Sequence, residues 1–313
     1  MVLSGANLIT GPILVTGGSG QLATALAARA GSRNIRHVGR PEWDYDRLDA
    51  LPALLRATAP SLIINAAAHT AVDRAETDAD AASRANTDAP RILADYAASA
   101  DIPLIHISTD YVFDGTKSSP YLETDATNPT GVYGATKLAG EQAILATPAR
   151  AIILRTAWVY SATGKNFLLT MLNAATRTKN LRVVADQTGC PTAAADLALI
   201  ILRIADRIAV SGWHPSYAGI FHAVGTGQTT WHGFATAIFD EAAKHGRPAP
   251  TVAPITTADY PTPATRPANS RLDCGKLAKV FGMALPHWRT SLNRTITDVL
   301  TPREGEATTP NSM

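Results

Sequence analysis

Short apolar runs alternate with longer stretches of helical composition between residues 12 and 160. The apolar residues of each run are consecutive, which is typical of strands that are covered by helices on both faces. Strand–helix alternation of this kind favours right-handed crossovers and an open parallel sheet. We therefore predict an α/β fold with a doubly wound parallel sheet. The predicted strands are Ile13–Thr16, Ile35–Val38, Leu62–Asn65, Leu104–Ile107 and Ile152–Arg155, and the predicted helices are Gln21–Ala30, Arg47–Ala57, Ala79–Ser99 and Gly134–Leu145.

The pattern changes after residue 160, where helical stretches are separated by loops rich in proline and glycine. Six prolines between Pro248 and Ser270 predict that this segment lacks regular structure. Three further helices are predicted, at Asn166–Arg177, Ala195–Val210 and Trp231–Lys244. We predict a dinucleotide-binding domain over residues 1–160, and residues 195–225 are expected to pack with it. A smaller, loop-rich substrate-binding lobe is predicted over 161–194 and 226–301. Residues 302–313 are predicted to form a frayed tail.

Composition excludes several classes of protein. The 313 residues are 46% hydrophobic and carry 28 Lys+Arg against 26 Asp+Glu, a net charge of +2. A disordered chain would need more charge and fewer apolar residues, and nucleic acid or an anionic membrane would need a basic run. No apolar run approaches the roughly 18 residues of a membrane-spanning helix. The two cysteines, Cys190 and Cys274, fit a reducing cytosol, so we predict a cytoplasmic protein.

The first strand ends in a glycine-rich turn that opens a helix, with the sequence T-G-G-S-G-Q-L-A over residues 16–23. In this context Gly17 permits the tight turn, and Gly20 lets the backbone approach a pyrophosphate at the helix N-terminus. Ala23 takes the third small position, where the helix packs on the strand. The pattern indicates a dinucleotide site, with an ordinary strand–helix turn as the alternative.

The end of the second strand bears on the choice of cofactor. A carboxylate there would hold the ribose of NAD, whereas an arginine accommodates the 2′-phosphate of NADP. Arg40 follows the strand and no acid precedes Glu42. We therefore predict NADP(H) as the preferred cofactor and NAD(H) as the second candidate, a solvated loop arginine being the alternative. Asp44 and Tyr45 are candidates for contact with the adenine, although Asp44 is equally suited to cap the next helix.

The third strand ends in N-A-A-A-H-T over residues 65–70. Small residues at the carboxyl end of a strand allow a flat cofactor to lie against the backbone. We expect Ala67, Ala68, His69 and Thr70 to form one wall of the cofactor site. His69 could serve as a general base, but a lone histidine in such a loop is more often a wall residue.

Tyr133 and Lys137 are four residues apart at the start of a predicted helix, so both lie on one face. An ammonium near a phenol favours the phenolate and lowers the phenol pKa from its usual value of about 10. The phenol can then deliver a proton to an alkoxide while a nicotinamide delivers hydride, and the lysine can bind the nicotinamide ribose. Alone, such a pair is common on helix surfaces.

The fourth strand ends in S-T-D-Y-V-F over residues 108–113, at the sheet edge where ligands bind. Thr109 offers a hydroxyl that can polarise a carbonyl, the third member of a Ser/Thr–Tyr–Lys reductase site. Ser108 is its rival, but adjacent strand residues point in opposite directions, and we favour Thr109. Asp110 is a candidate for binding a sugar hydroxyl, with loop capping as its alternative.

Six phrases in order along the chain resemble the extended short-chain dehydrogenases/reductases and, within them, the dTDP-4-dehydrorhamnose reductases. The resemblance runs from about Gly11 to Val299. The phrases are NAAAHTAVD (65–73), STDYVFDG (108–115), VYGATKLAGE (132–141), RTAWVY (155–160), DQTGCPT (186–192) and YPTPATRPANSRL (260–272).

This resemblance implies NADPH-dependent reduction of the C4 ketone of dTDP-6-deoxy-L-lyxo-4-hexulose to dTDP-L-rhamnose. Tyr133 would be the proton donor, with Lys137 lowering its pKa. Trp158 would pack against the sugar, unless it belongs to the core, and Arg266 would meet the diphosphate, unless it is a surface arginine. The implied cofactor contacts are Gly20, Gln21, Leu22, Ala68, His69 and Thr70, and the implied substrate contacts are Thr109, Asp110, Trp158, Asn166, Gln187, Arg266 and Asn269.

The chain also departs from the resemblance. Some relatives are dimers joined at a magnesium site of glutamates, where this chain has Ala25 and Ala194–Ala195 before Asp196. We therefore doubt a magnesium ion, predict no metal ligands, and expect a monomer or a homodimer.

Two other functions stay open. A reductase of another dTDP-4-keto-6-deoxysugar would share the same carbonyl chemistry. A regulatory subunit could bind NADP without catalysis, although intact Thr109, Tyr133 and Lys137 argue against it.

Overall fold

A central sheet of six parallel strands dominates the computed structural model, which describes residues 11–301. The strands of the protein are β1 (Ile13–Thr16), β2 (Ile35–Val38), β3 (Leu62–Asn65), β4 (Pro103–Thr109), β5 (Arg150–Thr156), β6 (Val159–Tyr160), β7 (Asn180–Val184), β8 (Thr188–Gly189), β9 (Thr192–Ala193), β10 (Gly219–His222), β11 (Thr229–Thr230), β12 (Thr251–Ile255) and β13 (Asn269–Ser270). The order in the central sheet is β10–β5–β4–β3–β1–β2, which places the topological switch between β1 and β3. The predicted doubly wound fold is confirmed, as are all five predicted strands, β4 and β5 being longer than predicted.

Helices cover both faces of this sheet. They are α1 (Gln21–Ala28), α2 (Leu51–Thr58), α3 (Val72–Ala75), α4 (Ala79–Ser83), α5 (Ala89–Ser99), α6 (Val132–Leu145), α7 (Phe167–Ala175), α8 (Ala194–Ser211), α9 (Trp231–Lys244), α10 (Gly275–Phe281) and α11 (Trp288–Leu300). Side chains of α1 and α8 share one buried core with Ile13 and Val15, whereas Leu14 faces a second core with α2 and α5. Successive strand residues thus alternate between two apolar layers, which explains the consecutive apolar runs.

The long helix predicted at Ala79–Ser99 is divided. A π-helical turn at Arg84–Asp88 joins α4 to α5, and Pro90 lies in the first turn of α5, where its missing N–H needs no partner. Such turns widen a helix locally and often occur at functional sites. This one places Arg84 and Asn86 beside the cleft described below.

The C-terminal part has its own core, formed mainly by α7, α9 and α11. The expectation that residues 248–270 lack regular structure is wrong in part, because β12 pairs with β7 in a two-stranded parallel sheet that includes Pro254. Both strands of such a sheet are edges, and an edge strand tolerates proline. The predicted domain boundaries stay a prediction, and the predicted tail at 302–313 lies outside the described residues. No helix between residues 11 and 301 is long and apolar enough to cross a membrane.

Candidate active site

A cleft of about 1000 Å³ opens where β1, β3, β4 and β5 end, beside the topological switch. Open α/β sheets bind their ligands at this place. Fifteen of the residues predicted to bind or act line it: Gly17, Gly20, Gln21, Leu22, Arg40, Tyr45, Ala67, Ala68, His69, Thr70, Thr109, Asp110, Tyr133, Lys137 and Trp158. Five others do not: Asp44, Asn166, Gln187, Arg266 and Asn269.

The glycine turn forms one end of the cleft. Gly17 adopts φ +116°, and a Cβ on it would lie 3.1 Å from the backbone of Ala66. The amides of Gly17 and Gly18 donate to the Val38 carbonyl at 3.1 and 3.0 Å, which ties the turn to β2. No side chain caps α1, so the free N–H groups of its first turn remain available to an anion.

Charged side chains at the end of β2 form a rim around the same part of the cleft. Arg40 contacts Asp44 Oδ1 through Nε at 3.1 Å and Asp46 Oδ2 through Nη2 at 3.0 Å. Arg84 reaches the other oxygen of Asp46 at 2.8 Å. Asp44 does not cap a helix; it accepts a hydrogen bond from the Asp46 amide. Tyr45 lines the cleft next to this group, and burial raises its pKa.

Asn86 holds the wall that follows β3. Its Oδ1 accepts from the His69 amide at 2.9 Å, and its Nδ2 donates to the His69 carbonyl and to Thr136 Oγ1. A Cβ on Gly140 would lie 2.0 Å from the Asn86 carbonyl oxygen, so only glycine lets α6 approach this turn. The backbone of His69 is fixed in this way, and the residue lines the cleft, as a wall residue requires.

Tyr133, Thr109 and Asp110 meet at the inner end of the cleft. Burial raises the pKa of Tyr133, and a hydrogen bond with the Thr109 hydroxyl opposes that rise. The Thr109 hydroxyl donates to Asp110 Oδ1 at 3.0 Å. Asp110 Oδ2 is buried without a partner among residues 11–301, and burial raises the pKa of this carboxyl to about 6. The Tyr133 phenol is therefore protonated at neutral pH. It lies beside a carboxylate oxygen that can accept a hydrogen bond from a hydroxyl group.

Lys137 is almost completely buried, and two groups of β4 hold its ammonium. Nζ donates to the Ile107 carbonyl at 2.6 Å and lies 3.2 Å from His106 Nε2. Because an ammonium has three donors, one remains for the cleft. Burial lowers the pKa of Lys137 to about 8. Burial is the main influence on the pKa of Tyr133 in this arrangement, and the expected lowering of that pKa by Lys137 stays a prediction.

Hydrogen-bonded polar side chains on neighbouring strands orient His106. Asn65 lies 2.9 Å from His106 Nδ1 and accepts from Thr16 Oγ1 at 2.6 Å. All three side chains are buried, and burial holds the pKa of His106 far below its usual value, so the ring is neutral. Asn65 Nδ2 faces Nδ1 and Lys137 Nζ faces Nε2, so both ring nitrogens lie against a donor, and a neutral imidazole can accept from only one of them. Sequence reasoning missed Asn65 and His106 as functional residues because each looks like an ordinary strand residue.

Glu141 continues the face of α6 that carries Tyr133 and Lys137. It accepts from Arg155 Nε at 2.9 Å and Nη2 at 2.6 Å, and from the Ser108 hydroxyl. Both Ser108 and Thr109 line the cleft, but the Ser108 hydroxyl is engaged by Glu141, which favours Thr109 as the cleft hydroxyl. Sequence reasoning also missed Glu141, although the four-residue spacing Tyr133, Lys137, Glu141 was a usable signal.

Trp158 lines the cleft in a left-handed conformation with φ +48°. Its indole stacks on Trp231 with ring centroids 3.5 Å apart, and a Cβ on Gly189 would lie 2.4 Å from Trp158 Cε2. The stack holds a half-buried aromatic surface at the wall of the cleft. Trp158 thus combines packing with exposure to a ligand, and Gly189 is the residue that leaves room for it.

Four of the predicted substrate contacts serve other partners in this structure. Asn166 caps α7, Gln187 bridges Thr257 and Trp231, and Asn269 binds the carbonyls of Lys117 and Ser119. Arg266 pairs with Asp73 at 2.7 Å and donates to the Tyr111 hydroxyl at 3.1 Å. Arg266 therefore reaches the cleft only through Tyr111, whose ring packs edge-on against Tyr133.

Ala25 and Ala195 line a second, smaller cavity of about 520 Å³. Asp196 lies nearby in sequence but is engaged by Arg294 and Ser291. Within residues 11–301, no three His, Cys, Asp or Glu side chains are grouped so that they could hold a metal ion. The prediction about magnesium stays a prediction.

Comparisons with known proteins agree on one family. The RmlD substrate binding domain family matches residues 11–301. The dTDP-4-dehydrorhamnose reductase of Sinorhizobium fredii (strain NBRC 101917 / NGR234) is 44% identical over 285 residues, which cover 91% of this chain and 96% of that protein. A probable dTDP-4,6-dihydroxy-2-methyloxan-3-one 4-ketoreductase of Streptomyces antibioticus is 40% identical and covers 92% of this chain and 95% of its own length.

A solved structure agrees as well. The dTDP-4-dehydrorhamnose reductase of Bacillus anthracis str. Ames, in complex with NADP, superposes with a TM-score of 0.84 at 30% identity. The match covers 92% of this chain and 99% of that one. The likeness therefore extends to both the sheet and the C-terminal part.

Proposed function

The chain belongs to the RmlD substrate binding domain family, and from this premise we propose that it is an NADPH-dependent oxidoreductase. Its proposed reaction is reduction of the C4 ketone of dTDP-6-deoxy-L-lyxo-4-hexulose to dTDP-L-rhamnose. The observation that carries the proposal is the meeting of the Tyr133 phenol and the Thr109 hydroxyl at the inner end of the cleft, with Lys137 fixed behind them. The 44% identity to a dTDP-4-dehydrorhamnose reductase supports the same reaction.

The cleft fits a dinucleotide cofactor. Gly17 and Gly20 allow the tight turn, since a Cβ on them would lie 3.1 and 3.0 Å from backbone atoms, and the open first turn of α1 offers N–H groups to a pyrophosphate. Arg40 and Tyr45 border the adenosine end, whereas Lys137 has one donor left for the ribose next to the reacting ring. When bound, the reduced nicotinamide supplies the hydride for the carbonyl carbon.

Tyr133 supplies the proton. Its raised pKa keeps the phenol protonated, so it can donate to the substrate oxygen as negative charge develops there. The Thr109 hydroxyl next to it, which donates to Asp110 Oδ1 in this structure, would turn to the substrate oxygen and stabilise the same charge by a hydrogen bond. After transfer, the ammonium of Lys137, four residues along the same helix, favours the phenolate that remains.

Asp110 and Trp158 bind the sugar in this proposal. The free Oδ2 of Asp110 accepts from a sugar hydroxyl, and the half-buried indole of Trp158 packs against the sugar ring. The salt bridge of Arg266 with Asp73 would exchange for the diphosphate, because a guanidinium can bind two phosphate oxygens whereas it has one hydrogen bond to Asp73.

The decisive experiment is NADPH oxidation with dTDP-6-deoxy-L-lyxo-4-hexulose, for the wild type and for Tyr133→Phe. We expect kcat of Tyr133→Phe to fall at least ~100-fold, because a phenyl ring has no proton to give. Tyr260→Phe is the matched control, since Tyr260 is exposed and outside the cleft, and it should keep full activity. Unchanged turnover in Tyr133→Phe would remove this residue from the mechanism.

A second candidate substrate follows from one of the relatives. The 4-ketoreductase of Streptomyces antibioticus, at 40% identity, is named for a different dTDP-linked ketosugar. Comparing kcat/KM for several dTDP-4-keto-6-deoxysugars decides between them, and a higher value for another sugar would replace the rhamnose assignment. Absence of turnover with all of them, together with intact NADPH binding, would favour the regulatory subunit.

A further inference from the structure

Arg40, Asp46 and Arg84 form a group of charges at the edge of the cleft, which we call the rim cluster. One carboxylate, Asp46, serves two guanidinium groups: Arg40 Nη2 at 3.0 Å and Arg84 Nη2 at 2.8 Å. The two arginines come from distant parts of the chain, the end of β2 and the π-helical turn before α5. The fold has therefore brought a second cation to a place where the local sequence shows only one.

Arg84 also has spare donor capacity. Its Nε is buried and has no hydrogen-bond partner among residues 11–301, although its Nη2 is engaged with Asp46. A guanidinium presents its donors as a planar fork that suits two oxygens of one phosphate or carboxylate. An unpaired buried donor costs free energy, so a ligand that satisfies it gains affinity at this position.

The position of the rim cluster identifies the ligand group. Gly18 and Gly39 are in contact beneath it, since a Cβ on Gly39 would lie 2.6 Å from Gly18 Cα. The glycine turn binds the pyrophosphate, and the residues after the second strand face the ribose of the adenosine. A phosphate monoester carries close to two negative charges at neutral pH and several acceptor oxygens, which match two guanidinium groups better than one carboxylate does.

We propose that Arg84, together with Arg40, binds the 2′-phosphate of NADP(H), and that Asp46 competes with this phosphate for both arginines. Asp46 thereby sets the preference between the two cofactors. This inference rests on the proposed function only in that the cleft takes a nicotinamide dinucleotide.

The energetics of the rim cluster suit an exchange of partners. The side chains of Arg40 and Asp46 are 65% and 55% exposed, and ion pairs in water contribute little to stability. Separating Asp46 from the arginines therefore costs little free energy. In exchange, the two guanidinium groups gain a phosphate with nearly two negative charges in place of a carboxylate with one. Asp46 close to a bound phosphate would repel it, so removing the carboxylate should strengthen phosphate binding.

Calorimetric titration with two probes tests this without any turnover. Adenosine 2′,5′-bisphosphate and adenosine 5′-monophosphate differ only in the 2′-phosphate. For Arg84→Ala we expect about tenfold weaker binding of the bisphosphate, as the loss of a charge-assisted hydrogen bond predicts, and less than twofold change for the monophosphate. For Asp46→Asn we expect the bisphosphate to bind at least about threefold more tightly.

Arg91→Ala is the matched control. Arg91 lies one and a half to two turns further along the same helical stretch, pairs with Asp88 and does not line the cleft. It should leave both affinities unchanged. Equal weakening of both probes in Arg84→Ala would show that Arg84 stacks on the adenine and would overturn the proposal, as would unchanged binding of the bisphosphate.

Steady-state kinetics give a second measurement. The ratio of kcat/KM for NADPH to that for NADH should fall about tenfold in Arg84→Ala and rise in Asp46→Asn, while NADH turnover in Arg84→Ala stays within twofold. A chain without reductase activity would refute the proposed function, yet the calorimetric result would still decide the role of Arg84. A lower NADH value in Asp46→Asn with no gain for NADPH would make Asp46 a ribose ligand and overturn its role as a competitor.

Discussion

The ion pair that joins α6 to β5 and the rim cluster use the same kinds of side chain in opposite surroundings. Glu141 and Arg155 are 1% and 2% exposed, and Arg155 also lies over the ring of Phe113 at 5.0 Å. Arg40 and Asp46 are 65% and 55% exposed. The buried pair cannot change partners, because a lone charge there would lack compensation, whereas the exposed cluster can do so at little cost.

This difference matches the tasks that the proposed function gives to the two ends of the cleft. The inner end must hold Tyr133 and Lys137 in one geometry, and Glu141, on the same helix face, anchors α6 to β5 through Arg155. The outer end must admit and release a charged cofactor. Under the proposed function, buried charge therefore positions the reacting groups, and exposed charge adjusts the binding of the cofactor.

The largest expected effect comes from breaking the buried pair. Glu141→Ala leaves Arg155 buried and unpaired, so the free energy of unfolding should fall by about 3–5 kcal/mol. Urea denaturation measures it, and the milder Glu141→Gln should lose less because an amide still accepts a hydrogen bond. A loss below about 1 kcal/mol in Glu141→Ala would show that the pair does not anchor the helix.

Asp110 gives an intermediate test, since its buried carboxylate has no salt-bridge partner among the residues from 11 to 301. Burial raises its pKa to about 6, so it is ionised and able to accept above that pH and becomes protonated below it. We expect kcat/KM to decline below pH 6 for the wild type. Asp110→Asn should lose this dependence and about tenfold in kcat/KM at pH 8. If kcat/KM of Asp110→Asn still declined below pH 6, the decline would be due to another titrating group.

The smallest effect is expected for an exposed pair away from the cleft. Arg150 and Asp101 are 2.8 Å apart, with side chains 39% and 74% exposed. Asp101→Asn should change the free energy of unfolding by less than about 1 kcal/mol and leave kinetics unchanged. A loss comparable with that of Glu141→Ala would remove the distinction between buried and exposed pairs.

Much of the fold could be predicted from the chain because its signals are local. The apolar runs Ile13–Thr16 and Leu62–Asn65 became strands with the predicted bounds, and Trp231–Lys244 became a helix with the predicted bounds. The strand β12 could not be predicted in this way. Its pairing with β7 joins residues some 70 positions apart. The low strand propensity of proline is a local property and does not indicate whether a distant strand is available for pairing.

The residues of the candidate site also divide into those that local motifs indicate and those that they do not. Gly17, Thr109, Tyr133 and Lys137 lie in short motifs whose spacing alone indicates their chemistry, and all four line the cleft. Whether they catalyse the proposed reaction stays a prediction. The implied contacts Asn166, Gln187 and Asn269 were taken from a resemblance, and in this structure each is engaged by its own neighbours.

The sequence by itself determined the alternation of strands and helices, the glycine turn and the spacing of Tyr133 and Lys137, because each depends on residues only a few positions apart. Only the tertiary structure decided which distant groups meet these motifs. It placed His106 against Lys137, Arg155 against Glu141, and Arg84 against Asp46. Such contacts follow from the packing of whole elements, which fixes where a side chain is buried and which charge lies opposite it.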